Sequence, residues 1–152
     1  MSWTAERYHD FSYGHRVVGH ENKCKYLHGH NGRVHFYCRG ELDSVGRVID
    51  FGVIKEKLCM WLEDNWDHHM LIWSEDPLLE QLRAIDPTVV EVPFNPTAEN
   101  MARCLVEYVG PMQLADTGVY LASCRVEETR KCAASYDKKG SISEPAKMKH
   151  YL

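Results

Sequence analysis

Two early segments of the chain alternate apolar with polar residues, and two later ones repeat apolar residues every third or fourth position. Residues 6 to 17 and 30 to 42 read as strands. In the second, Val34, Phe36 and Cys38 alternate with His35, Tyr37 and Arg39, the period of a half-buried strand. A polar connection containing Gly19, Glu21, Asn22 and Lys23 joins them. After a turn at Asp43-Ser44-Val45-Gly46, Asp50 is placed to cap a helix that carries Ile54, Leu58, Trp61 and Leu62 on one face and ends near Asn65. Asp76-Pro77 opens a short helical pattern (Leu78, Leu79, Leu82, Ile85), followed by extended Val89 to Val92. Together these read as a surface insertion. Thr97, after Pro96, is the N-cap of a helix that turns Met101, Ala102, Leu105, Tyr108 and Val109 inward and closes at Gly110-Pro111. Residues 118 to 128 form a further strand, with Tyr120, Ala122, Cys124 and Val126 in phase with Glu128, a carboxylate on an apolar face. The polar tail after Ser135 reads as peripheral. This order predicts an α+β fold with helices on one face of an antiparallel sheet.

Composition narrows the function classes. At 152 residues, with 44% hydrophobic and 26% charged, the chain fits one soluble domain. A formal charge of -4 speaks against a nucleic-acid or anionic-membrane binder, whose contacts need clustered Lys and Arg. The N-terminus carries neither a signal-like apolar run nor a membrane-spanning one, so a cytoplasmic location is expected. The six cysteines (24, 38, 59, 104, 124 and 132) form no CxxC pair and are expected to stay thiols. Five sit in apolar patterns and read as structural, whereas Cys24 lies in the polar connection.

Histidine carries the chemistry. Six of the nine (9, 15, 20, 28, 30 and 35) fall in one short stretch. In a strand, His28 and His30 point to the same side across Gly29, and an antiparallel neighbour can bring His15 to them as a third nitrogen donor. Three histidines leave zinc one open position, the arrangement of catalytic rather than structural sites. An HxH alone is equally satisfied by solvated or hydrogen-bonded histidines. Cys24, between Lys23 and Lys25, is either a reactive thiol favoured by positive charge or an inert exposed one. Asp67 is placed to orient His68 as a proton relay, although His68 can equally serve a helix dipole, as can Glu99 in the first turn after Thr97.

Taken together, Phe11-Ser12-Tyr13-Gly14-His15-Arg16, Cys24-x-x-x-His28-Gly29-His30, Asp67-His68, Pro96-Thr97-Ala98-Glu99-Asn100 and Glu128-Thr129 resemble the 6-pyruvoyl-tetrahydropterin synthase family over residues 5 to about 137. The three-residue gap after Cys24 and the ending Glu128-Thr129-x-x-x-Ala133-x-x-Tyr136 are similar to its 6-carboxytetrahydropterin synthase branch, which serves 7-deazaguanine (queuosine precursor) synthesis. The resemblance implies a tunnelling fold, a four-stranded antiparallel sheet backed by two helices, over residues 1–137 with a peripheral tail at 138–152. It also implies a trimer or hexamer with active sites between subunits.

The implied substrate is 7,8-dihydroneopterin triphosphate, converted to 6-carboxy-5,6,7,8-tetrahydropterin, acetaldehyde and triphosphate. Zn2+ would sit on His15, His28 and His30, with Cys24, Asp67 and His68 catalytic. Thr97, Glu99 and Glu128 would hold the pterin, Glu128 accepting from its 2-amino and ring N–H groups. Arg16, Lys23 and Lys25 are candidate cations for the triphosphate. Position 72 departs from the family pattern, carrying isoleucine where relatives often have asparagine. The competing expectations are a pyruvoyl-forming synthase, a cupin-like metal oxygenase, which lacks its later Glu and His here, and a non-catalytic pterin-binding zinc protein.

Overall fold

A computed structural model describes residues 3–139 of the chain, so the expected tail lies outside the described residues except for its first two. The two alternating segments form a long antiparallel pair, β1 (Thr4–His15) and β2 (His28–Arg39), in register from Thr4↔Arg39 to His15↔His28. Alternation turns Phe11, Tyr13, Val34, Phe36 and Cys38 into the core. The opposite face is polar, with Arg33 paired to Asp10 and His35 between Glu6 and Glu127.

Both predicted caps form. The Asp50 carboxylate accepts from Gly52 N at 2.7 Å and opens α1 (Phe51–Ile54), which continues through a π-helical stretch (Lys55–Cys59) into α2 (Met60–Asn65). A short helix, α3 (Leu79–Ile85), lies farther along the chain. The Thr97 hydroxyl accepts from Asn100 N at 3.1 Å and opens α4 (Ala98–Cys104), which likewise passes through a π-helical stretch (Leu105–Val109) into α5 (Gly110–Gln113). Ile54, Leu58, Leu62, Met101, Leu105, Val106 and Val109 join the sheet residues in one core. Gln113 Nε2 donates to the Lys57 carbonyl at 2.9 Å and ties the two helical rods together.

The expected closure at Gly110-Pro111 is corrected. Gly110 N donates to Leu105 O, five residues back, and the wider turn carries the helix past a proline that an ordinary α-turn would not accommodate. Gly110 is there for packing, since a Cβ on it would lie 2.7 Å from Leu121 Cβ on the sheet.

The tunnelling fold is present, but its sheet has six strands among the described residues instead of four, and it is mixed. The remaining strands are β3 (His69–Trp73), β4 (Val90–Val92), β5 (Tyr120–Glu127) and β6 (Ala133–Asp137), and the order is β4-β3-β1-β2-β5-β6. The segment read as a surface insertion supplies β4, which pairs in parallel with β3, itself parallel to β1. Ile85, expected on the apolar face of that segment's helix, is exposed instead. Tyr136 and Asp137, read as part of a peripheral tail after Ser135, lie instead in β6 and pair with β5. The register shift between Tyr37 and Cys38 changes the phase of β5, so Leu121 is buried in place of Tyr120 and Ala122, while Cys124 and Val126 stay inward. Cys38, Cys59, Cys104 and Cys124 are core thiols. Cys132 is exposed, contrary to its structural reading.

Candidate active site

Strand register gathers the histidines. His15 faces His28 and Tyr13 faces His30 across β1 and β2, on the side that carries the core. The three rings lie 4.5 to 5.1 Å apart by centroid, and one ligand nitrogen from each falls within 4.8 Å of the others. His15 Nδ1 lies 2.6 Å from the Pro96 carbonyl and His28 Nδ1 lies 2.7 Å from the Tyr26 carbonyl. These acceptors place the proton on Nδ1 and leave Nε2 as a lone-pair donor. The Nε2 atoms of His15 and His30 are buried with no hydrogen-bond partner. Two buried ring nitrogens without partners and a third imidazole within reach fit a metal ion, and this group could hold one.

Burial pushes the His15 pKa down to about 4; the Pro96 hydrogen bond opposes it and charge on His28 and His30 adds to it. His30 is lowered too, by burial first, against the attraction of Glu128. Both rings are therefore held neutral, as metal ligation requires. Glu128, just past β5 and in phase with its inward residues, places Oε1 3.8 Å from His15 Nε2 and Oε2 3.9 Å from His30 Nε2. It faces the cluster without hydrogen-bonding it.

Cys24 is half-buried in a single 3-10 turn (Lys23–Lys25), and its carbonyl accepts from Val17 N at 2.8 Å. Arg16 holds the same turn. Its Nη1 donates to Lys25 O at 3.0 Å, while Nε and Nη2 grip the buried Asp76 carboxylate at 2.7 and 3.0 Å. The guanidinium considered for the triphosphate is thus already paired. Thr97 caps α4 and Glu99 is exposed in its first turn; this cap sits beside the cluster because Pro96 O receives His15.

Asp67 and His68 pair as expected, with Asp67 Oδ2 2.7 Å from His68 Nδ1 and Oδ1 accepting from Ser12 N at 2.8 Å. Burial alone would raise the Asp67 pKa, but the Ser12 N–H and His68 outweigh it and hold the carboxyl below its usual range. His68 has φ 62° and is largely exposed. It lines a cavity of about 600 Å³ with Asp10, Ser12, Asn31 and Arg33, residues of the polar face. Strand alternation sends the side chains of His15, His28 and His30 to the other face, where Glu128 joins them, while His68, His28 and His30 together line a second cavity of about 540 Å³ at the end of β1 and β2. Sequence reasoning missed Tyr13, buried beside His15 and His30 at 5.1 and 5.6 Å between ring centroids. Its signal was its phase with Phe11 and His15.

This sheet, with two helical rods over one face and a three-imidazole cluster beneath a carboxylate, defines a tunnelling-fold protein with a candidate metal centre. The model of the 6-pyruvoyl tetrahydropterin synthase family matches residues 4–139, and the chain belongs to that family. A 6-carboxy-5,6,7,8-tetrahydropterin synthase of Rickettsia typhi is 34% identical over 126 residues, 81% of this chain and 91% of that protein. The 6-pyruvoyl tetrahydropterin synthase structure of Caenorhabditis elegans is 25% identical, with a TM-score of 0.66 over 90% of this chain and 96% of that one. An uncharacterized protein of Wolinella succinogenes, 24% identical, shares the fold with a TM-score of 0.80 over 90% and 98% of the two chains. No helix among the described residues is long and apolar enough to cross a membrane.

Proposed function

We propose that this protein is a zinc-dependent 6-carboxy-5,6,7,8-tetrahydropterin synthase. It converts 7,8-dihydroneopterin triphosphate to 6-carboxy-5,6,7,8-tetrahydropterin, acetaldehyde and triphosphate in cytoplasmic 7-deazaguanine (queuosine precursor) synthesis. The observation that carries the reading is the pair of buried, unpartnered Nε2 atoms on His15 and His30, with His28 beside them and Glu128 opposite. The relatives named for this activity support the choice of product.

His15, His28 and His30 hold the zinc, which when bound supplies a Lewis acid for the side-chain hydroxyls of the substrate. Glu128 accepts the 2-amino and ring N–H donors of the pterin, a planar fork matched to a carboxylate. Thr97 and Glu99 line the same pocket. Cys24 removes a carbon-bound proton, and its placement rests on the Val17 and Arg16 contacts to its turn. His68, oriented by Asp67, moves protons at the opposite side of the substrate. Because that pair lies on the other sheet face, the site is completed between subunits of a trimer or hexamer, and a lone chain is inactive.

Product analysis with 7,8-dihydroneopterin triphosphate under reducing conditions tests this reading. Acetaldehyde and a 6-carboxypterin are expected. The pyruvoyl product alone would overturn the carboxy assignment, and an untouched substrate would overturn the lyase itself. Cys24→Ala should keep zinc and pterin binding while losing turnover.

A further inference from the structure

Tyr13 is buried against the histidine cluster, and the proposed reaction leaves it unused. Its side chain is 3% exposed, and its hydroxyl has no hydrogen-bond partner, a costly state for a buried polar group. The ring is fixed on several sides. It stacks on Phe11 at 4.8 Å and 11°, meets His15 edge-on at 5.1 Å and lies 5.6 Å from His30. It also crosses β2 at Gly32, where a Cβ would lie 2.9 Å from Tyr13 Cε1 and 3.3 Å from the Glu127 carbonyl. The absent side chain at Gly32 lets a tyrosine on β1 reach over β2 toward the end of β5, where Glu128 follows. Glu128 is within electrostatic reach of the hydroxyl.

The ligand's edge supplies the missing partner. A pterin presents, in order, a 2-amino donor, an N3–H donor and a 4-oxo acceptor. A carboxylate satisfies the two donors and nothing else. With a metal ion held by His15, His28 and His30 none of the three ligating nitrogens keeps a hydrogen to give the oxo group, whereas the Tyr13 hydroxyl has one.

We propose that Tyr13 is a further substrate-contacting residue, its hydroxyl donating to the 4-oxo oxygen of a pterin whose two N–H donors are taken by Glu128. This rests on the pterin reading above and adds a consequence. Tyr13 and Glu128 together give the site a preference for 4-oxo over 4-amino pteridines, because only the 4-oxo ring accepts from the hydroxyl while keeping an N3–H for the carboxylate.

The test is fluorescence titration of the assembled, zinc-loaded protein with pterin and with 2,4-diaminopteridine. Tyr13→Phe should weaken pterin binding about tenfold and change binding of 2,4-diaminopteridine less than about twofold, with zinc per chain unchanged. Gly32→Ala keeps the hydroxyl but crowds the ring, and should give the same selective loss. Wild-type pterin affinity in Tyr13→Phe, or equal losses for both pteridines, would overturn the role of Tyr13 alone. A wild-type protein that binds no pterin would overturn the pterin reading together with it.

Discussion

Acidifying the metal-free protein should destabilise it through His15. That imidazole is buried, with Nδ1 committed to the Pro96 carbonyl and Nε2 facing the cluster without a partner. A proton on Nε2 would place a charge where no water reaches it. The pKa accordingly falls from an ordinary 6.5 to about 4, chiefly through burial. That gap corresponds to about 3 kcal/mol of folding free energy. Because the unfolded chain takes up the proton first, the contribution is complete above pH 6.5, declines as the pH falls and is gone by about pH 4.

The assay is urea unfolding in the presence of a chelator, at fixed protomer concentration, in steps from pH 7 to pH 4. His15→Asn is the reference, since its amide can still donate to Pro96 but does not titrate. The other groups titrate in both proteins, so the difference isolates His15 together with its coupling to His28 and His30. Wild type should lose about 3 kcal/mol more than His15→Asn over this range. Parallel profiles would refute the claim that His15 is held neutral by burial.

Further substitutions separate scaffold from chemistry. Asp76→Ala strips the Arg16 guanidinium of its buried partner and Leu78 N of its acceptor; it should cost about 3–5 kcal/mol by urea unfolding and speed alkylation of Cys24 in a Cys132→Ser background. Thr97→Ala should cost about 1 kcal/mol through the lost Asn100 N–H contact, with Thr97→Asn recovering most of it in thermal melts. His68→Gly relieves a left-handed backbone and should raise stability by up to about 1 kcal/mol while lowering kcat by about 10²–10⁴. A His68→Gly enzyme with normal kcat would remove His68 from the mechanism.

Features set by local chemistry were legible in the sequence. Asp50 and Thr97 cap helices wherever a helix follows, and alternation alone sends His28 and His30 to one side of β2. Features set by contacts distant in sequence were not. β4 is short and pairs in parallel, so its apolar residues carry no alternation that separates it from a surface insertion, and the equally parallel β3 gave no strand pattern at all. Gly110 and Pro111 have the composition of a helix stop, and only the approach of Leu121 and the wide π-turn explain why the helix continues. Arg16 looked available for phosphate because its partner, Asp76, is far along the chain. The gathering of His15 with His28 needed only strand pairing and was anticipated, whereas the placement of His68 on the opposite face depends on a positive-φ turn at a non-glycine residue, which no pattern announces.

Reconstitution tests the metal centre most directly. Protein stripped by chelation and titrated with zinc should take up one ion per chain and regain turnover of 7,8-dihydroneopterin triphosphate in proportion, while His30→Ala should do neither. Full turnover without bound metal, or stoichiometric zinc in His30→Ala, would contradict the three-histidine site.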